Sequence, residues 1–438
     1  MIELTDGRLC FSFPNVVAEL KKLTQNYVQN TLPAILNEDR DVALDRVLAE
    51  NYFFREATKE DRQNYRLIVR KISAEQITRA FEDSVKRRAN LESEWGQNGE
   101  MSLDFKRTLR IPDDGNNYPL PPGLGRFPLR HVDDFADRVS ASWLDRGGVM
   151  LPMYQAEALW INFSEDYPFA VKIGAGKINA VTGDEWRNGL SREPQDYLVL
   201  PEQPWLDGFA VEKGVIRQFV AMPLGAGYSV EEQITGKAEF GGIQIQVYPM
   251  KAEVYFKQTM ISKLPGRFSD VLPEMLPRPT FTERTMHARQ YSPACSTGMV
   301  ACQEDMGLGA GGRMKQEIYM DTNDLDVWDL NNSSRCFVHL CNSAVWREIT
   351  GTNPPQPPVT AKEYERYGLP WFDFYRDDLS VLEGSGKLAA VKSVAALSVE
   401  KGDHAVIGND PVKVGKTTDC GPGKRPNQVR EWLDRANS

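Results

Sequence analysis

GFAVEKGVIRQFVAMPLGAGYSVEEQITGKAEFGGIQIQVYP, residues 208–249, carries the clearest secondary-structure signal in the chain. Ile243, Ile245 and Val247 alternate with Gln244, Gln246 and Tyr248, the period of a strand with one dry and one wet face. Gly241-Gly242 opens that strand and Pro249 closes it. Val215–Met222 reads as a second strand, paired with Phe209–Val211 across a Glu212-Lys213-Gly214 loop. Arg217 and Gln218 interrupt its otherwise apolar run, so at least one of them needs a fixed polar partner. The core of this protein is a β-sheet.

Outward from that stretch, the chain divides by composition. Its 438 residues exceed what a single core usually serves, so several structural units are expected. Toward the N-terminus, a short strand (Leu9–Phe13) precedes Pro14, which suits the first turn of a helix. Val16, Leu20, Leu23 and Tyr27 then share one helical face, and a capping box pairs Ser73 with Gln76. Residues 1–98 therefore read as a helical unit. Beyond Gly99 come proline-punctuated strands: Phe105–Ile111, Phe169–Ile173, Ile178–Val181, Tyr197–Leu200 and Cys336–Leu340. Leu151–Phe163 reads as a helix, because Gln155 and Glu157 do not fit a one-sided strand, and Gly307–Gly312 reads as a glycine-rich loop. Asn342 caps a short helix, and Thr360 with Glu363 caps another that stops at Gly368. The fold class expected is α+β. A helical N-terminal unit (1–98) precedes a central, mainly antiparallel β sandwich or barrel (99–352), and a proline-linked C-terminal arm (353–438) follows. The arm presents Trp371, Phe372, Phe374 and Tyr375, whose apolar area calls for a surface to dock on, and a further amphipathic helix spans Leu388–Leu397.

Composition narrows the function classes. A net charge of −9 argues against nucleic-acid binding driven by overall charge. No apolar run reaches the roughly 18–20 residues that span a bilayer. MIELTDGRLCFSFPNVV places acids where a secretory signal needs bases, and the six scattered cysteines form no CxxC pair. A cytoplasmic protein without membrane contact is expected.

The segments Arg107–Gly115, Pro121–His131, Arg217–Gly225 and Gly368–Phe372 resemble a family of uncharacterised microbial proteins, over about residues 103–395. That resemblance implies one evolutionary unit and transfers no catalytic role.

Motifs with chemistry are few. Gly307, Gly309 and Gly312 spell GxGxxG without the preceding strand that a dinucleotide fold needs, and Arg313-Met314 stands where a P-loop needs Lys-Ser/Thr. The four histidines lie far apart, and the Asp321–Asp329 loop lacks the EF-hand register. No cofactor and no metal are therefore expected. His339 and Cys341 share a strand face as packed neighbours rather than as a catalytic pair. The polar residues left as candidates for a ligand site are His131, Asp133, Arg217, Gln218, Glu231 and Glu232. The reading is a non-catalytic binding or assembly protein, with a protein partner or self-association. The alternative is a hydrolase using paired carboxylates near His131 or Glu231 on a carbohydrate-like substrate.

Overall fold

The computed structural model describes residues 1–26, 99–261, 305–403, 410–415, 417–419 and 430. The helical stripes, capping box and basic run expected within 27–98 lie outside these residues, as does the irregular stretch from 262 to 304.

Ten strands form one continuous path. They are β1 (Ile2–Thr5), β2 (Arg8–Ser12), β3 (Glu100–Thr108), β4 (Ala158–Glu165), β5 (Phe169–Ala175), β6 (Leu198–Leu200), β7 (Val215–Pro223), β8 (Ile243–Pro249), β9 (Asp305–Lys315) and β10 (Ser334–Asn342). Their spatial order is β1-β2-β3-β4-β7-β9-β10-β8-β5-β6, every neighbouring pair antiparallel. Shorter strands attach to this path. Gly208–Glu212 pairs with β7 as the sequence predicts, while Val149–Met153 runs parallel to β10. The sheet is β-rich, mainly antiparallel and open, since β1 and β6 end the path without pairing to each other. That corrects the expectation of a barrel. No described helix is long and apolar enough to cross a membrane.

By its packing the chain falls into two compact units. Residues 1–12 belong with the sheet, because β2 pairs with β3. The described parts of the second unit include the helix Pro14–Asn26 and residues 251–261, and that helix packs against the short helix Ala252–Tyr255. Pro14 opens that helix, and Val16 and Val17 are buried.

Three local expectations give way, each for a physical reason. Leu151–Phe163 is not a helix. Val149–Met153 and β4 are separate strands turned at Tyr154–Glu157, where Ala156 takes φ 65°. Ala158–Phe163 is buried on both faces, so it carries no alternation to read. Gly307–Gly312 is not a loop but the middle of β9. Its glycines permit close approach: a Cβ on Gly311 would stand 2.7 Å from Val220, and one on Gly312 would stand 2.3 Å from the Pro112 carbonyl. Leu388–Leu397 divides into two short helices, Gly386–Ala389 and Val394–Lys401, capped by Ser385 and Ser393.

The opening stretch is strand where expected, yet β8 has no wet face. Gln244 and Gln246 are 1% and 6% exposed. Gln244 donates to the Gly176 carbonyl and accepts from Arg335. Gly174, on the neighbouring strand, leaves room for the Trp186 ring, which a Cβ would meet at 2.7 Å.

Residues 353–375 lie along their own chain. Arg107 donates to the Gln356 carbonyl and Tyr154 to the Pro355 carbonyl. Leu120 and Phe372 exchange backbone hydrogen bonds. Trp371 packs beside Tyr118 and Tyr364, and Phe374 beside Trp205 and Tyr319. Trp371, Phe372 and Phe374 are thus buried, and Tyr375 is exposed.

Candidate functional site

The six residues singled out from sequence sit at separate places in the sheet unit. Gln218 is fully buried and acts as a backbone clamp, donating to the Leu109 carbonyl (2.9 Å) and accepting from the Ile111 amide (2.8 Å). Arg217, on the opposite face, reaches Asp113 (3.3 Å) and the Gly311 carbonyl (3.2 Å). Glu232 accepts from the Gly227 and Ser229 amides and the Ser229 hydroxyl, closing a capping box at the head of Val230–Thr235. Glu231 is buried against Gly176, and its Oε2 accepts from the Gly241 and Phe240 amides; desolvation raises its pKa. His131 is half-buried on a short strand paired with Val149, and Asp133 is exposed at the start of a 3-10 turn. Glu231 and Glu232 therefore organise backbone, through bonds that involve neither His131 nor Arg217.

A different place has the shape of a ligand site. At the β1–β2–β3–β4 end of the sheet lies a groove of about 480 Å³, within the size range of small-molecule pockets. It begins at the β1–β2 hairpin, where Asp6 (φ 50°) and Gly7 (φ 74°) supply the two left-handed positions of a type I′ turn. Strand alternation builds its floor. Cys10 stands opposite Ser102, and Ser102 opposite Ser164, so three small polar side chains form one row across β2, β3 and β4. Leu9, Phe11, Met101 and Leu103 point the other way and are buried.

Charge is distributed unevenly along the groove. Toward one end, Arg8 and Arg126 both set their Nε near Asp104 Oδ1, at 3.5 and 3.2 Å. Asp104 is 3% exposed, and Lys106 approaches its other oxygen at 3.7 Å. Asp6 also lines this end, so both signs of charge meet there. Toward the other end the lining is acidic, with Glu100, Glu165 and Asp166. Asp166 accepts from the Glu100 amide at 2.6 Å and returns its own amide to the Glu100 carbonyl, which fixes the corner.

Glu165 is unusual among these acids. Opposite Met101 in the ladder, it projects from the strand face that otherwise packs apolar side chains. Desolvation, reinforced by the nearby charges of Glu202 and Asp166, pushes its pKa up to about 7. Cys10 is also raised, mainly by burial, so its thiol stays protonated at neutral pH and is a poor nucleophile. Among the described residues no three His, Cys, Asp or Glu side chains converge as metal ligands would.

Other motifs resolve into structure. His339 is 3% exposed, stacks on Trp143 at 4.7 Å and bonds the Gly147 carbonyl through Nε2; burial pushes its pKa down to about 4, so it is neutral. Asp321 is occupied by protein donors: the Tyr197 hydroxyl, the Trp328 indole and the Asn323 amide.

The groove residues escaped the sequence reading although a signal was present. In Glu100-Met-Ser-Leu-Asp-Phe-Lys106 and Arg8-Leu-Cys-Phe-Ser12, polar and apolar residues alternate without a break. Both segments announce a polar sheet face. No family model matches the chain, and neither the curated proteins nor the solved structures contain one similar to it.

Proposed function

We propose that this chain is a binding protein that holds a small polar ligand, without covalent chemistry, in the groove between Arg8, Ser102, Ser164 and Glu100. The observation that carries the reading is the convergence of both signs of charge and a row of hydroxyls in one groove on a paired sheet. Sheet-borne groups are pre-positioned, so a ligand is spared the cost of ordering them. The protonated Cys10 supports binding over nucleophilic chemistry. The internal use of Trp371, Phe372 and Phe374 supports a ligand rather than an assembly role, because those rings are already covered. The test is a screen of small charged and polar compounds against wild-type protein and Ser164→Trp, whose indole fills the middle of the groove. Hits that disappear in the variant support the reading; hits that persist equally in both place binding elsewhere.

One observation favours a second reading. A carboxyl with a pKa near 7 next to another carboxylate is suited to general acid–base work, so the hydrolase alternative would rest on Glu165 and Asp166. Hydrolysis abolished by Glu165→Gln with unchanged ligand affinity would select it.

A further inference from the structure

We infer that Asp207, Trp160, Trp205 and the Pro121 carbonyl form a guanidinium-binding site, which the chain fills with its own Arg430. The ligand class is an alkylguanidinium, the side chain of an arginine. Arg430 donates through Nη1 to Asp207 Oδ1 (2.7 Å), through Nη2 to Asp207 Oδ2, and through Nε to the Pro121 carbonyl (2.9 Å). Its guanidinium carbon stands 4.2 Å from the Trp160 ring centre and 5.1 Å from that of Trp205. The two indoles meet edge to face, and the one cation touches both. A fork on a carboxylate, a further acceptor for Nε and two aromatic rings together match a planar guanidinium. An ammonium is a compact point charge and cannot make that set of contacts.

The receiving side is held without Arg430. Gln316 Nε2 donates to Asp207 Oδ1 (2.9 Å), and Gln316 Oε1 accepts from the Asp207 amide (3.0 Å). The Asp207 carbonyl accepts from the Phe219 amide of β7 (2.9 Å). Trp160 lies in β4, and Trp205 stands opposite Asn162 of the same strand. Arg430, by contrast, is 223 residues from Asp207 in the chain. The sheet thus supplies a fixed receptor and the arginine is its occupant. Asp207 is fully buried, so without a cation its charge would be uncompensated, and the site calls for one. Arg430 also leaves polar atoms unused at this place: Trp160 Nε1 and Asn162 Oδ1 are buried and have no hydrogen-bond partner. A spare donor and a spare acceptor beside the rings are what a ligand site offers, whereas a finished core pair uses its polar atoms up.

The test is chemical rescue in the full chain. Arg430→Ala removes the occupant from Cγ outward, and N-ethylguanidinium replaces those atoms. The variant should melt below wild type, and millimolar N-ethylguanidinium should recover about half or more of the lost midpoint, rising with the logarithm of its concentration. Propylammonium, of equal charge, should recover little. Wild type, whose site is filled, should not respond, and adding Asp207→Asn to Arg430→Ala should abolish the response. Equal rescue by propylammonium would mean that the place needs only a charge, and would overturn the inference. Rescue by neither compound would overturn it too, as would equal stabilisation of wild type and variant. Should Arg430→Ala give no cooperative melt, refolding from urea in each compound is read instead. A melt regained only with N-ethylguanidinium supports the site, and a melt with neither, or equally with both, refutes it.

Discussion

Glu165→Gln is the substitution that most directly probes the one strongly desolvated carboxyl at this end of the sheet. The folded chain holds this carboxyl at about 7, against an ordinary glutamate value of 4.5, because it emerges among Met101 and its apolar neighbours with two other acids nearby. The folded state therefore binds the proton more tightly than the unfolded state does. Below the unfolded value both states are protonated and nothing is lost. As pH rises through the window from about 4.5 to 7 the unfolded chain gives up its proton first, and stability falls by up to about 1.4 kcal/mol per pH unit. Over that window the loss approaches ~3 kcal/mol, and above it the penalty is constant. Glutamine is neutral at every pH and nearly isosteric, so it removes the penalty. The variant should match wild type near pH 4.5 and exceed it by about 3 kcal/mol at pH 8. Urea denaturation of both proteins at half-unit pH steps measures the difference directly. A difference that stays flat from pH 4.5 to 8, or one of opposite sign, would refute the claim that Glu165 is desolvated.

Gln218→Leu should destabilise by about 2–4 kcal/mol, since it strips partners from a buried carbonyl at Leu109 and a buried amide at Ile111; Arg217→Ala, at a partly buried pair that water still reaches, should cost less by the same denaturation assay. Arg430 and Asp207 are both fully buried, with a bidentate ion pair laid over Trp160 and Trp205. Arg430→Met should therefore lower stability by about 3–5 kcal/mol, and adding Asp207→Asn should restore part of it by removing the orphaned charge. Gly312→Ala should cost about 3 kcal/mol because its Cβ meets a backbone oxygen, whereas Gly386→Ala, with open space around it, should be neutral or slightly stabilising in thermal melts.

What the sequence discloses about this fold is local and what it hides is coverage. β7, β8 and β10 and the caps at Asn342, Thr360 and Gly368 are all legible, because turn chemistry and alternation act over a few residues. Leu151–Phe163 misleads because a strand covered on both faces has no period to detect. The glycines of β9 mislead because the close packing that requires them comes from Val220 and Pro112, remote in the chain.

The same distinction explains why the groove was missed while Glu231 and Glu232 were noticed. Alternation states which residues share a face, but not what lies over that face. Gln244 and Gln246 read as wet and are covered; Ser102 and Glu100 carry the same pattern and line an open groove. Polar residues that stand out in an apolar run, such as Gln218, stand out because the interior needs them, and their hydrogen bonds are spent on backbone. Residues that meet a ligand on a sheet surface instead look like ordinary solvated alternation. For a β-rich chain of this kind, the strands to inspect for a binding face are the regularly alternating ones, here β2 and β3, whose polar side is mixed in charge. Arg8 and Glu100 satisfy that description, and in this fold both line one groove.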